Sequence, residues 1–109
     1  MADAAARLYG PTQLGSSAAT IYTSAGSTTT IIRHILACNT HATAGTSATL
    51  TMSVGADAVG TRFLNGLTIP HKTTWEWRGF LVLAAAELIQ AYSDTASAIT
   101  LTVNGVKIT

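Results

Sequence analysis

Residues 30–40 read Thr-Ile-Ile-Arg-His-Ile-Leu-Ala-Cys-Asn-Thr. This is the longest stretch that reads as a strand with both faces largely apolar. Taken at period two, one face holds Ile31, Ile35 and Ala37 with Arg33. The other holds Ile32, Leu36 and Cys38 with His34. A strand wet on one side alternates apolar and polar residues; one covered on both sides need not. The stretch is therefore expected to be a central strand with one face in the domain core. Its second face is expected to lie against another subunit.

Working outward, residues 48–54 alternate strictly: Ala48, Leu50, Met52 and Val54 are expected inward, Thr49, Thr51 and Ser53 outward. The short polar loop 41–47 predicts that this strand pairs antiparallel with the central one. Residues 19–23 form a short strand after the extended stretch 7–16, in which Gly10-Pro11 rules out a long regular element. Residues 61–64 and 67–69 are strand pieces around Asn65-Gly66, a favoured hairpin or bulge pair, and Pro70 ends them. In 72–83, Trp75 and Trp77 share one face, and Glu76 and Arg78 the other. A bulge at Gly79 is expected to bend this chain from one sheet toward another. Residues 84–92 fit a helix through their alanines and Glu87. They also fit a turn at 84–87 followed by a strand at 88–92, the reading favoured here. Residues 98–103 alternate through Ile99, Leu101 and Val103, and Val106 and Ile108 close the chain.

The result is about eight short strands with turn signals every eight to twelve residues, and no βαβ alternation. We expect an all-β fold, a single-domain antiparallel β-sandwich, jelly-roll-like. Residues 1–16 are read as an extended N-terminal arm and 17–109 as the sandwich domain.

At 109 residues the chain makes one domain. Only 10% of it is charged, against about 25% in typical domains. Ala, Thr, Ser and Gly make up about half of it, and β-branched Thr favours strands. A net charge of +1 gives no basic stripe for phosphate, so no nucleic-acid partner is expected. Few charges also leave little repulsion between copies. No apolar run nears the about 18 residues of a membrane span, and residues 1–7 lack a signal-peptide core. These absences fit a cytosolically made protein that reaches its site by assembly. The lone Cys38 forms no disulfide within the chain.

Chemistry finds little support. No Gly-x-Ser-x-Gly elbow exists, and the acids Asp3, Asp57, Glu76, Glu87 and Asp94 form no suggestive pair. His34 and Cys38 share a strand face but stand about 13 Å apart, too far for one ion. No catalytic residue, metal site or cofactor is expected, and the chain reads as a non-enzyme. The interface candidates are Tyr9, Tyr22, Arg33, His34, Trp75 and Trp77. The two tryptophans admit three roles: core filling, an anchor between subunits, or a platform for a sugar.

A resemblance adds to this reading. Gly10-Pro11-Thr12-Gln13-Leu14, Ala19-Thr20-Ile21-Tyr22-Thr23 and residues 31–40 closing on Cys38-Asn39-Thr40 carry its first half. Ser53-Val54-Gly55, Ile69-Pro70, Trp77 before Gly79-Phe80-Leu81-Val82-Leu83, Ile89-Gln90-Ala91-Tyr92 and residues 98–106 carry the rest. In these the chain resembles small virion proteins of tailed bacteriophages, of the minor tail or head decoration type. The family usually has a Gly-Asp turn where Ala86-Glu87 stands here. The resemblance implies a compact β-sandwich, a structural role on the capsid or tail of the virion, and no catalytic residues. The expected partners are copies of itself, as a homo-oligomer with a trimer among the candidates, and other phage capsid or tail proteins. The alternative expectation is a carbohydrate-binding β-sandwich module using Trp75 and Trp77.

Overall fold

Eight strands build two four-stranded antiparallel sheets in a computed structural model that describes residues 3–109. They are β1 (Asp3–Gln13), β2 (Ala19–Thr23), β3 (Thr29–Asn39), β4 (Ala48–Val54), β5 (Arg62–Ile69), β6 (Thr74–Leu83), β7 (Leu88–Ser93) and β8 (Ile99–Ile108). A single 3-10 turn, Val59–Thr61, precedes β5. One sheet runs β1-β8-β3-β6 and the other β2-β7-β4-β5. Of the consecutive strands, only β4 and β5 share a sheet; every other connection crosses the sandwich. This interleaving is the jelly roll.

β3 is central, between β8 and β6, as its sequence predicts. It does not pair with β4. Those two strands sit in opposite sheets, because eight loop residues, 40–47, easily span the about 10 Å between sheets. Ile32, Ile35 and Ala37 then meet Ala48, Leu50 and Met52 within one core cluster.

The two-faced apolarity of β3 has a second cause besides burial. Against β8, Ile32 pairs with Gly105 and His34 with Asn104, so Arg33 is an extra residue. Against β6, Ile32 pairs with Leu81 and His34 with Arg78, so Gly79 and Phe80 together oppose Arg33. The bulge shifts the alternation by one. Thr30 and Ile32 point inward before it, and Ile35, Ala37 and Asn39 after it. Ile31 therefore lies on the outer face, not with Ile35 and Ala37. Gly105 makes the close approach possible: a Cβ there would run into the Ile31 carbonyl and the Leu8 side chain.

The bulge expected at Gly79 is present, but β6 stays on β3 from Thr74 to Leu83 and never changes sheet. β5 is one strand, not two pieces. It carries an extra residue around Asn65-Gly66, where Gly66 has φ +68°, and stops before Pro70. The ambiguous stretch 84–92 resolves as a turn and the strand β7. Ala86 sits in that turn at φ 68°, in the left-handed region.

Thr51 and Ser53, expected outward and wet, are buried. Loop 55–61 closes beside Ser53: Asp57 N donates to Gln90 Oε1 (2.9 Å), and Ser53 Oγ donates to the Gly55 carbonyl (3.2 Å); Thr51 Oγ1 accepts from Gly66 N of β5 (3.1 Å). Asn39, the last residue of β3, is 1% exposed. Its Nδ2 donates to Thr46 O and Ile69 O, both at 2.9 Å, and its Oδ1 accepts from His41 N at 3.1 Å. One side chain thus ties both sheets to the loop between them. Among the described residues no buried side-chain nitrogen or oxygen lacks a partner.

The segment read as an arm is, over Asp3–Gln13, an edge strand paired along β8 from Asp3↔Ile108 to Gln13↔Thr100. Its backbone donors and acceptors cover an edge that β8 would otherwise expose. Leu8 and Tyr9 pack against the core, and Leu14 is buried in it. Residues 1 and 2 of that arm lie outside the described residues.

Candidate functional site

The two outer faces of the sandwich differ. On the β2-β7-β4-β5 sheet the one arginine is fully engaged by its neighbours. Arg62 clasps Asp57 through Nε–Oδ1 (2.9 Å) and Nη2–Oδ2 (3.1 Å), and reaches Asn65 Oδ1 and the Tyr92 hydroxyl. The Arg62 hydrogen bonds hold the Asp57 carboxyl below its ordinary value, and the same pair raises Arg62.

The outer face of the β1-β8-β3-β6 sheet is built in cross-strand rows. In one row Ala5, Val106, Ile31 and Val82 stand side by side across all four strands. Val82 is 50% exposed, and Ile31 and Val106 are half-buried. The next row is Arg7, Asn104, His34 and Arg78. An apolar band therefore borders a cationic one. The face holds three of the chain's four arginines, Arg7, Arg33 and Arg78, and Glu76 is the one carboxylate among its described side chains.

His34, on β3 just after the bulge, is pinned from both sides. Asn104 Nδ2 donates to its Nδ1 (3.3 Å), which leaves the ring proton on Nε2 to donate to Glu76 Oε2 (2.6 Å). Arg78 Nη2 donates to the same oxygen at 3.1 Å. Hydrogen bonds from His34, then Arg78, hold the Glu76 carboxyl below its ordinary value. Arg33 turns over the bulge, where its Nε donates to the Gly79 carbonyl at 3.1 Å. Arg33, His34, Arg78, Gly79 and Phe80 line an open cleft of about 510 Å³. Phe80 stands at its rim, 71% exposed.

Of the six candidates read from sequence, this face unites Arg33 and His34. The four aromatic ones lie elsewhere. Trp75 and Trp77 point between the sheets, half-buried against the core. With Ile35, Phe63, Leu64 and Leu81 they line an apolar cleft of about 200 Å³ where the edges of β5 and β6 meet. The Trp77 ring lies so close over Gly79 that a Cβ there would come within 2.9 Å of it. Tyr9 packs against the core from β1. Tyr22 packs against the core from β2, with Lys107 Nζ 5.8 Å from its ring centre.

Sequence reasoning missed Phe80, Val82, Val106, Asn104 and Arg7 as members of one face. The signal was present only in part: Glu76 and Arg78 alternate with the tryptophans. The rows depend on strand order, which no local pattern states. Cys38 is half-buried on the same face, two residues beyond Leu36. Among the described residues no group of three or more His, Cys, Asp or Glu side chains could hold a metal ion, and no helix is long and apolar enough to cross a membrane.

Comparison with protein-family models, curated proteins and solved structures finds no match for this chain.

Proposed function

We propose that the chain is a structural virion protein of a tailed bacteriophage, a capsid decoration or minor tail protein with no catalytic role. The outer face of the β1-β8-β3-β6 sheet holds it on the particle. The observation that carries this reading is the apolar row Ala5–Val106–Ile31–Val82, unbroken across four strands and open to solvent. On the opposite outer face Arg62 is engaged by Asp57, Asn65 and Tyr92, so the two faces are not equivalent. The jelly roll itself serves viral capsids and lectins alike and does not choose between them.

The size of the face says how it works. Four strands about 4.8 Å apart and about 30 Å long present roughly 500–600 Å². A stable standard interface buries about 800 Å² per partner. One copy on this face alone is a weak binder. Several copies joined in a homo-oligomer, a trimer for instance, reach tight attachment through multivalency. The protein acts mechanically, by area buried between itself, its copies and the shell.

The rival reading, a carbohydrate-binding module led by Trp75 and Trp77, loses support from their placement. Both rings are half-buried against Ile35 and Leu64, which favours core packing over a flat, open platform.

The test is the double substitution Ile31→Glu with Val82→Glu. Both side chains point outward, so the domain is expected to keep its fold by circular dichroism. Phage particles assembled with the variant are expected to lose it from their protein complement, read by quantitative mass spectrometry. Undiminished occupancy on purified particles refutes the docking face.

A further inference from the structure

We propose that the cleft at the Arg33 bulge is a binding site for an anionic saccharide, a sugar ring bearing a carboxylate or sulfate. The site is distinct from the docking row. The cleft lies on the same outer face, beside that row and one outward row further along β3, and the inference stands whether or not the apolar row meets a particle.

The first argument is charge. Arg33 spends only its Nε, on the Gly79 carbonyl. Both of its Nη nitrogens have no partner among the described residues. Arg78 gives Nη2 to Glu76 and keeps Nη1 free in the same sense. Glu76 already accepts from His34 and Arg78 and is the one carboxylate beside the cleft, so Arg33 is left uncompensated. Planar guanidinium forks with spare donors match the geometry of a carboxylate or sulfate.

The second argument is shape. Arg33, His34, Arg78, Gly79 and Phe80 enclose about 510 Å³ of open space. That lies within the range of small-ligand sites, about 300–1,000 Å³. The third is Phe80. An aromatic ring 71% exposed at the rim offers a flat apolar surface to the C–H face of a sugar. A ring-borne oxyanion meets the arginines and Phe80 together. An Asp or Glu side chain from a polypeptide would engage the arginines and leave Phe80 bare.

The experiment is isothermal titration of the full chain with four probes. They are a hyaluronan hexasaccharide (carboxylate), a heparin-derived hexasaccharide (sulfate), neutral chitohexaose and hexaglutamate. At least one anionic saccharide is expected to bind and chitohexaose is not. Arg33→Gln and Arg78→Gln are each expected to weaken that binding about tenfold or more. Phe80→Ala, at an exposed position with no folding role, is expected to weaken it about three- to tenfold. Lys72→Gln, on an exposed loop away from the cleft, is expected to change nothing. The proposal is overturned by no heat from either anionic saccharide at millimolar concentration. It is equally overturned by a loss with Lys72→Gln matching that with Arg33→Gln, by Phe80→Ala binding unchanged, or by hexaglutamate binding as tightly as the sugars.

Discussion

At the scale of residues, two polar side chains hold the fold at places where apolar packing alone would not. Asn39 is buried and makes three hydrogen bonds, to the loop that crosses between sheets and to the end of β5. Asn39→Ala leaves two carbonyls and one N–H without their partner in the interior. A cost of about 2–4 kcal/mol is expected, read as a lower urea midpoint with an unchanged slope. Asp57 is the second. Its folded-state carboxyl is held below the ordinary value by Arg62, so it binds fewer protons folded than unfolded as the pH drops. The stability it contributes is present above the unfolded carboxylate value and is lost as pH falls through the folded one. Glu76 has the same sign through His34 and Arg78. Thermal midpoints measured from about pH 7 down to about pH 3 are therefore expected to fall. Asp57→Asn is expected to start lower at neutral pH and to decline less steeply. An identical acid limb in the two proteins would contradict this account.

At the scale of elements, β1 shows why an Ala-rich, capless segment need not be a loose arm. Its first residues have no strong pattern of their own, and six of them would fray as a helix. β8 offers a full row of backbone groups, and β1 satisfies them from Asp3↔Ile108 to Gln13↔Thr100. Deleting residues 1–13 removes Leu8 and Tyr9 from the core margin and bares the β8 edge. A fall in thermal midpoint together with concentration-dependent association is expected, by calorimetry and light scattering. A truncated chain as stable and monomeric as the parent would return the segment to the status of a free arm. β7 is the converse case. Its alternation was readable, and so was the turn before it, although Ala86 and Glu87 also favour helix. Tertiary pairing on both sides, with β2 and β4, outweighs that propensity.

At the scale of the whole molecule, the strand order decides which residues are neighbours on a surface. His34 and Arg78 are far apart in sequence, and so are Ile31 and Val106, yet each pair is directly cross-strand. A two-fold pairing of this face with itself would bring the row that holds Arg7 and Arg78 toward its own copy, and like charges directly opposed destabilise. Copies are therefore expected to join through another surface and leave this face for a different partner. The Ile31→Glu, Val82→Glu protein is expected to keep the parent's oligomeric state in sedimentation velocity while losing the particle. A drop to monomer on those substitutions would make this face the contact between copies instead.

What the residues alone determined is the class of fold and most strand positions. Thr alternating with apolar side chains enforces period two, and Gly, Pro and Asn punctuate it; both are local effects. The prominence of residues 30–40 was also legible, and so was the bulge at Gly79. Tertiary structure alone decided the partner of each strand, the parity shift at Arg33, the burial of Thr51 and Ser53, and the gathering of Arg33, His34, Arg78 and Phe80 around one cleft. The reason is physical: alternation says that a side chain has a face, but the face acquires neighbours only when distant backbones exchange hydrogen bonds across a sheet.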